Sequence, residues 1–210
     1  MARMCRAVCQ QRPNQIREAC SKLYETMNFK EITLRDIGKE AKLSRPAIYN
    51  YFTSKEEIFL SIFNKEYETW GQDLKQILDS HETMTVDEFA RAVGKSLVPR
   101  KTMLKIQCMN LYEIEENSRP ERLVCVKKTV KQVMLTLRDC LRKFFPAMSE
   151  ENCELFLYTF FPFLYGVYPY VYPTQQQMEA MREACLSIRI LSVEEVTYQC
   201  IRRLLQEPKE

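Results

Sequence analysis

Arg45, Tyr49, Asn50, Tyr51 and Lys55 are the cluster whose types and spacing best suit recognition chemistry. A guanidinium, an amide and two phenols match the donors and acceptors that base edges offer in a major groove, and an ammonium suits a phosphate. Nothing comparable points to catalysis or to a metal or cofactor. The single histidine, His81, lies in a polar break, no Cys, His or carboxylate group has metal-ligand spacing, and no glycine-rich phosphate loop occurs. No Ser or Cys sits beside a plausible base. The acidic run Glu113, Glu115, Glu116 and Glu121 reads as a solvated helix end. Nine cysteines form no CxxC pair, and an odd count without a secretion signal favours reduced thiols acting as small hydrophobes. Cys5 and Cys9, one helical turn apart among arginines, are the pair whose setting could lower a thiol pKa; a flexible tail is the plainer reading.

Two short helices and a tight turn must hold the recognition cluster. Thr33 can cap the first, in which Leu34, Ile37 and Ala41 recur on one face, and which ends near Lys42. Ser44 offers a second N-cap, with Pro46 in the first turn of the next helix, where a missing N–H costs little. Ile48 and Phe52 then face a core, leaving Arg45, Ala47, Tyr49, Asn50 and Tyr51 outward to differing degrees. Ser54 to Glu57 has the form of a capping box that opens a long helix with Lys55 in its first turn. Charge follows the same map. Residues 1–55 carry 11 Lys or Arg against 5 Asp or Glu, a net +6, whereas the remainder carries 20 against 23, a net −3. A basic footprint of this kind gives affinity for a polyanion and no sequence choice by itself.

With the preceding apolar positions Ile16, Ala19, Cys20, Leu23, Tyr24 and Met27, residues 13–63 closely resemble the DNA-binding domain of the TetR family of bacterial transcriptional regulators. The matching elements are Asn28-Phe29, Thr33, the run Pro46 to Phe52 with its aromatic pair, and Lys55; Asn28 and Lys42 stand where that family usually has glycine. The resemblance implies DNA contacts from Thr33, Arg35, Lys42, Ser44, Arg45, Pro46, Ala47, Tyr49, Asn50, Tyr51 and Lys55. It also implies a homodimer on a palindromic double-stranded operator, with a small hydrophobic effector releasing the DNA.

The expected fold is all-α, with a three-helix helix-turn-helix domain over residues 1–54 and a larger helical effector-binding and dimerisation domain over residues 55–210. Four glycines and nine prolines, the latter mostly near predicted helix ends, argue against a sheet protein. The helix from Lys55 carries apolar residues from Ile58 to Leu78, a polar break covers residues 79–85, and Thr85 caps the next helix. Pro120 starts another long helix that Pro146 closes. Residues 155–172 are the most aromatic stretch, read as one buried helix kinked at Pro162 and ended before Pro169. Its tyrosines suggest a pocket of Trp70, Met103, Met109, Tyr112, Phe160, Phe161, Leu164, Tyr165 and Tyr168, although such stripes are more often plain core. The last helix, capped by Ser192, contributes Val193, Val196, Cys200, Ile201 and Leu204 to an expected dimer face with Phe156 and Phe163. No apolar run reaches membrane or signal-peptide length, so a soluble cytoplasmic protein is expected. Two other readings stay open: an all-helical carrier or enzyme, and a DNA-binding regulator that answers to thiol oxidation or to no ligand.

Overall fold

The computed structural model describes residues 2–206, with side chains from Arg12 onward, and every regular element among them is helical. The Cys5 and Cys9 thiols therefore lie outside the described residues. Contacts divide the chain into two units: residues 1–66 with 109–129, and residues 67–108 with 130–210. The unit around the helix-turn-helix thus takes in more chain than residues 1–54, because residues 109–129 pack into it.

In the first unit, α1 (Ala2–Thr26), α2 (Leu34–Glu40) and α3 (Arg45–Tyr49) precede the start of α4 (Lys55–Ser80). Ile16, Cys20, Tyr24, Phe29, Ile32, Ile37, Ile48, Phe52, Ile58 and Phe59 are buried and form its core. Tyr24 and Phe29 both meet the Phe59 ring edge-on, with centroids 4.9 Å away. Burial raises the Cys20 thiol well above its usual range, so this cysteine behaves as an apolar packing group. Residues 109–129 supply α7 (Leu111–Glu116) and the start of α8 (Pro120–Phe144).

The second unit contains the rest of α4, then α5 (Val86–Leu97), a 3-10 turn (Val98–Arg100), most of α6 (Lys101–Met109), the rest of α8, α9 (Glu150–Val171), α10 (Gln175–Glu183) and α11 (Val193–Leu205). Reciprocal capping boxes at Thr85 with Glu88 and Ser192 with Glu195 start α5 and α11. These two helices pack closely. Gly94 permits it: a β-carbon there would lie 2.8 Å from the Glu194 carbonyl oxygen. Asp87 adds a polar tie, accepting from Tyr198 Oη at 2.9 Å and forming an ion pair with Arg202, whose Nε lies 3.1 Å away.

Helix α9 departs from its expected form in two ways. It runs through Pro169 to Val171, since a proline so near the end forfeits one hydrogen bond with little helix left to disrupt. It is also amphipathic instead of buried all round. Cys153, Phe156, Leu157, Phe160, Phe161, Leu164, Val167 and Val171 point inward, whereas Leu155, Tyr158, Pro162, Tyr165 and Tyr170 are exposed. Helix α10, capped by Thr174 and Gln177, lacks an apolar stripe and was not legible in the hydrophobic pattern.

Candidate nucleic-acid interface

The recognition segment is built by caps at both of its helices. Thr33 and Asp36 form a reciprocal box on α2, with the Asp36 amide donating to Thr33 Oγ1 at 3.3 Å and the Thr33 amide donating to Asp36 Oδ2 at 3.2 Å. Ser44 Oγ accepts from the Ala47 amide at 3.4 Å and starts α3, with Pro46 in its first turn. Between them Lys42 adopts φ 53°, the left-handed conformation in which α2 terminates and where glycine is cheaper. The Leu43 amide closes the turn on the Gly38 carbonyl at 2.9 Å. Gly38 itself is needed, because a β-carbon would sit 2.9 Å from the Leu43 carbonyl oxygen.

Ile48 and Phe52 are buried, fixing α3 on its core, while Arg45, Pro46, Tyr49 and Asn50 face outward and Ala47 and Tyr51 are half-buried. Thr33, Arg35, Lys42 and Ser44 are also exposed. Arg45 and Tyr49 make a local pair: Nε and Nη2 of Arg45 donate to Tyr49 Oη at 3.1 and 2.8 Å, and the guanidinium lies 5.4 Å from the Tyr49 ring centre.

Lys55 has a different setting from the bare phosphate anchor that spacing suggests. Its ammonium donates to the Phe29 and Ile32 carbonyls at 2.7 and 3.2 Å and sits 4.3 Å from the Phe29 ring centre. One of its three protons is left for a further acceptor. Glu57 likewise does more than close a cap. The Glu57 amide donates to Ser54 Oγ at 3.2 Å, but its carboxylate accepts from the Thr53 amide at 3.0 Å and from Arg119 through Nε and Nη2, the latter at 3.0 Å. Burial would raise this carboxyl, yet the Arg119 guanidinium and the Thr53 amide outweigh it and hold the pKa at about 2. Arg122 reaches the end of the recognition segment, donating to the Tyr51 carbonyl at 3.0 Å with its guanidinium 5.8 Å from the Phe52 ring centre. Neither Arg119 nor Arg122 was visible as a site residue, because the contacts join positions more than 60 apart in sequence.

The expected pocket residues are scattered. Trp70, Met103, Phe160, Phe161 and Leu164 are packed in the core of the second unit, where Trp70 donates to Ser96 Oγ at 3.0 Å and meets the Phe161 ring at 6.3 Å. Tyr168 is half-buried and Tyr165 exposed. Met109 and Tyr112 belong to the first unit and are exposed, Tyr112 at 82%. Sequence reasoning missed Gln107 in the same core. It is buried, its Oε1 accepts from Tyr67 Oη at 3.1 Å, and its Nε2 has no hydrogen-bond partner.

Of the expected dimer face, Phe156, Val193 and Ile201 are buried within their own unit, because α11 packs on α5 and α9. Phe163, Val196, Cys200 and Leu204 are half-buried. A groove of about 550 Å³ is lined by Leu204 together with Phe145, Met148, Leu155, Phe156 and Thr159 among others. Among the described residues no group of His, Cys, Asp and Glu could hold a metal ion, and no helix is long and apolar enough to cross a membrane.

Comparison with known proteins agrees with this geometry. The chain is 46% identical over 43 residues to the HTH-type transcriptional regulator EthR of Mycolicibacterium smegmatis, a stretch that covers 20% of each protein. It is 29% identical over 135 residues to the HTH-type transcriptional regulator HbdR of Aromatoleum, covering 62% of this chain and 58% of that one. The chain thus spans less than two thirds of the length of these curated relatives. In fold it is similar to FadR of Bacillus subtilis, solved in complex with stearoyl-CoA, with a TM-score of 0.62, 14% identity, and 91% and 96% of the two chains covered. Residues 16–62 match the model of bacterial regulatory proteins of the tetR family, and residues 64–195 match the tetracyclin repressor-like C-terminal domain; the chain belongs to the TetR family.

Proposed function

We propose that this chain is a sequence-specific transcriptional repressor that binds a palindromic double-stranded operator as a homodimer and leaves it when a small hydrophobic effector binds. The observation that carries the reading is the outward face of α3. Arg45, Tyr49 and Asn50 are exposed on a short helix that buried Ile48 and Phe52 hold fast, and the surrounding sequence has a net +6 charge. A rigid, basic, hydrogen-bonding rod of this size fits a major groove.

Dimerisation is supported by α9. Leu155, at 60% exposed, and Tyr158, at 82%, lie with Pro162 on one side of the helix, and Leu155 also lines the groove between α9 and α11. An apolar row of this kind favours a second copy, and two-fold symmetry is what a palindrome requires. The effector site belongs in this reading to the aromatic core around Trp70, Met103, Phe160, Phe161 and Leu164. Gln107 supports it, since an unpaired buried amide costs about 1–3 kcal/mol unless something accepts its hydrogen bond. The stearoyl-CoA complex of the FadR neighbour supports a lipophilic ligand. Whatever binds must prefer the form that does not hold DNA, since equal affinity for both forms would shift nothing.

The test is a mobility-shift titration on DNA upstream of the chain's own gene at several salt concentrations. Selective, salt-sensitive retardation, reversed by lipophilic compounds that raise Tm, is expected; indifference to DNA sequence would remove the reading.

A further inference from the structure

We infer that Arg45 is the guanine-reading residue of this protein and that Tyr49 is a positioning residue that holds its guanidinium for the purpose. This rests on the proposed DNA binding and adds which base is read and by which atoms. Arginine has five N–H donors in one plane. The Tyr49 hydroxyl takes one from Nε and one from Nη2, the whole lateral edge of the fork. The end-on edge remains, with one proton on Nη1 and one on Nη2 lying parallel. That pair has the spacing of guanine N7 and O6, two acceptors that no other base presents side by side in the major groove.

Three features make the arrangement a reader and not an incidental surface contact. Residues 45 and 49 are one helical turn apart on α3, whose position is set by the Ser44 cap and by the burial of Ile48. Both side chains are exposed, so the free edge is open to a ligand. The same tyrosine provides a ring 5.4 Å from the guanidinium, so Arg45 is tied by hydrogen bonds and by its π-face at once. A long side chain held this way loses less rotamer freedom on binding, and its selectivity for guanine rises accordingly. A lysine at position 45 would keep the charge and lose the fork.

The experiment is selection of binding sites from a randomised duplex library, followed by titration of the selected site at physiological salt. The wild-type protein should select one guanine per half-site, and replacing it with 7-deazaguanine, which lacks the N7 acceptor, should weaken binding about 5- to 100-fold. Arg45→Lys should lose that guanine preference and become insensitive to 7-deazaguanine. Tyr49→Phe, which keeps the ring and deletes the hydroxyl, should lower the 7-deazaguanine penalty. If the wild type selects a site in which no guanine responds to 7-deaza substitution, or if Arg45→Lys keeps the full penalty, the assignment is wrong although DNA binding stands. An equal loss on all sequences in Tyr49→Phe would make that hydroxyl a phosphate contact and overturn its positioning role. Selection of no sequence at all would overturn the DNA reading itself and this inference with it.

Discussion

Lys55, in the first turn of α4, donates to two carbonyls of the loop between α1 and α2 and keeps one proton for a further acceptor. Lys55→Ala should therefore show two effects where a simple surface contact shows one. Binding to specific and non-specific DNA should fall alike, and Tm should drop by several degrees, corresponding to about 1–2 kcal/mol for the lost charge-assisted bonds. Titration alongside thermal melting checks both; an unchanged Tm would mean that the carbonyl contacts do not hold in solution. Glu57 makes a pH prediction. Its folded pKa, about 2, lies below the ordinary carboxylate value of 4.5, so its contribution is present above pH 4.5 and is lost as pH falls from there toward 2. Because Arg119 is half exposed, solvent screening leaves the ion pair worth less than the full shift. Melting curves between pH 7 and pH 3 should show the loss, and Glu57→Gln should flatten that part of the curve.

Among the elements, the caps and faces of the helix-turn-helix were the most legible, since Thr33, Ser44 and Pro46 act within three or four residues of themselves. Asp36, which completes the Thr33 box, is as local a signal. The Glu57 to Arg119 pair was not legible, because hydrophobic period and cap motifs carry no information about which distant loop returns to a helix start. Helix α9 was found, yet its composition hid its two faces: exposed Leu155 and Pro162 are apolar by type, and tyrosines such as the exposed Tyr158, Tyr165 and Tyr170 occur both inside and outside. The close approach of α5 and α11 was equally silent, since a glycine inside a helix says that something comes near without saying what. Gly94→Ala tests it. The added methyl would overlap the Glu194 carbonyl and should cost about 1–3 kcal/mol despite the better helix propensity of alanine. A gain in denaturation midpoint would mean that the two helices part easily.

For the whole molecule, the exposed row on α9 and the exposed face of α3 belong to one account, because two recognition helices must be held at a fixed separation to read two half-sites. Tyr158→Asp would put a charge in the middle of the apolar row. The variant should sediment as a monomer, keep its fold, and lose operator affinity by about 100-fold or more while non-specific binding changes little. A dimer that survives this change would place the subunit interface elsewhere. The most direct test of the central claim, that α3 reads base edges, is footprinting of the purified protein across the DNA upstream of its gene. The account predicts two protected half-sites related by two-fold symmetry and about 10 bp apart centre to centre, or a multiple of that spacing, which disappear in the Arg45→Ala, Asn50→Ala double variant. Uniform cleavage across every fragment at physiological salt, or a footprint that the double variant retains unaltered, would contradict it.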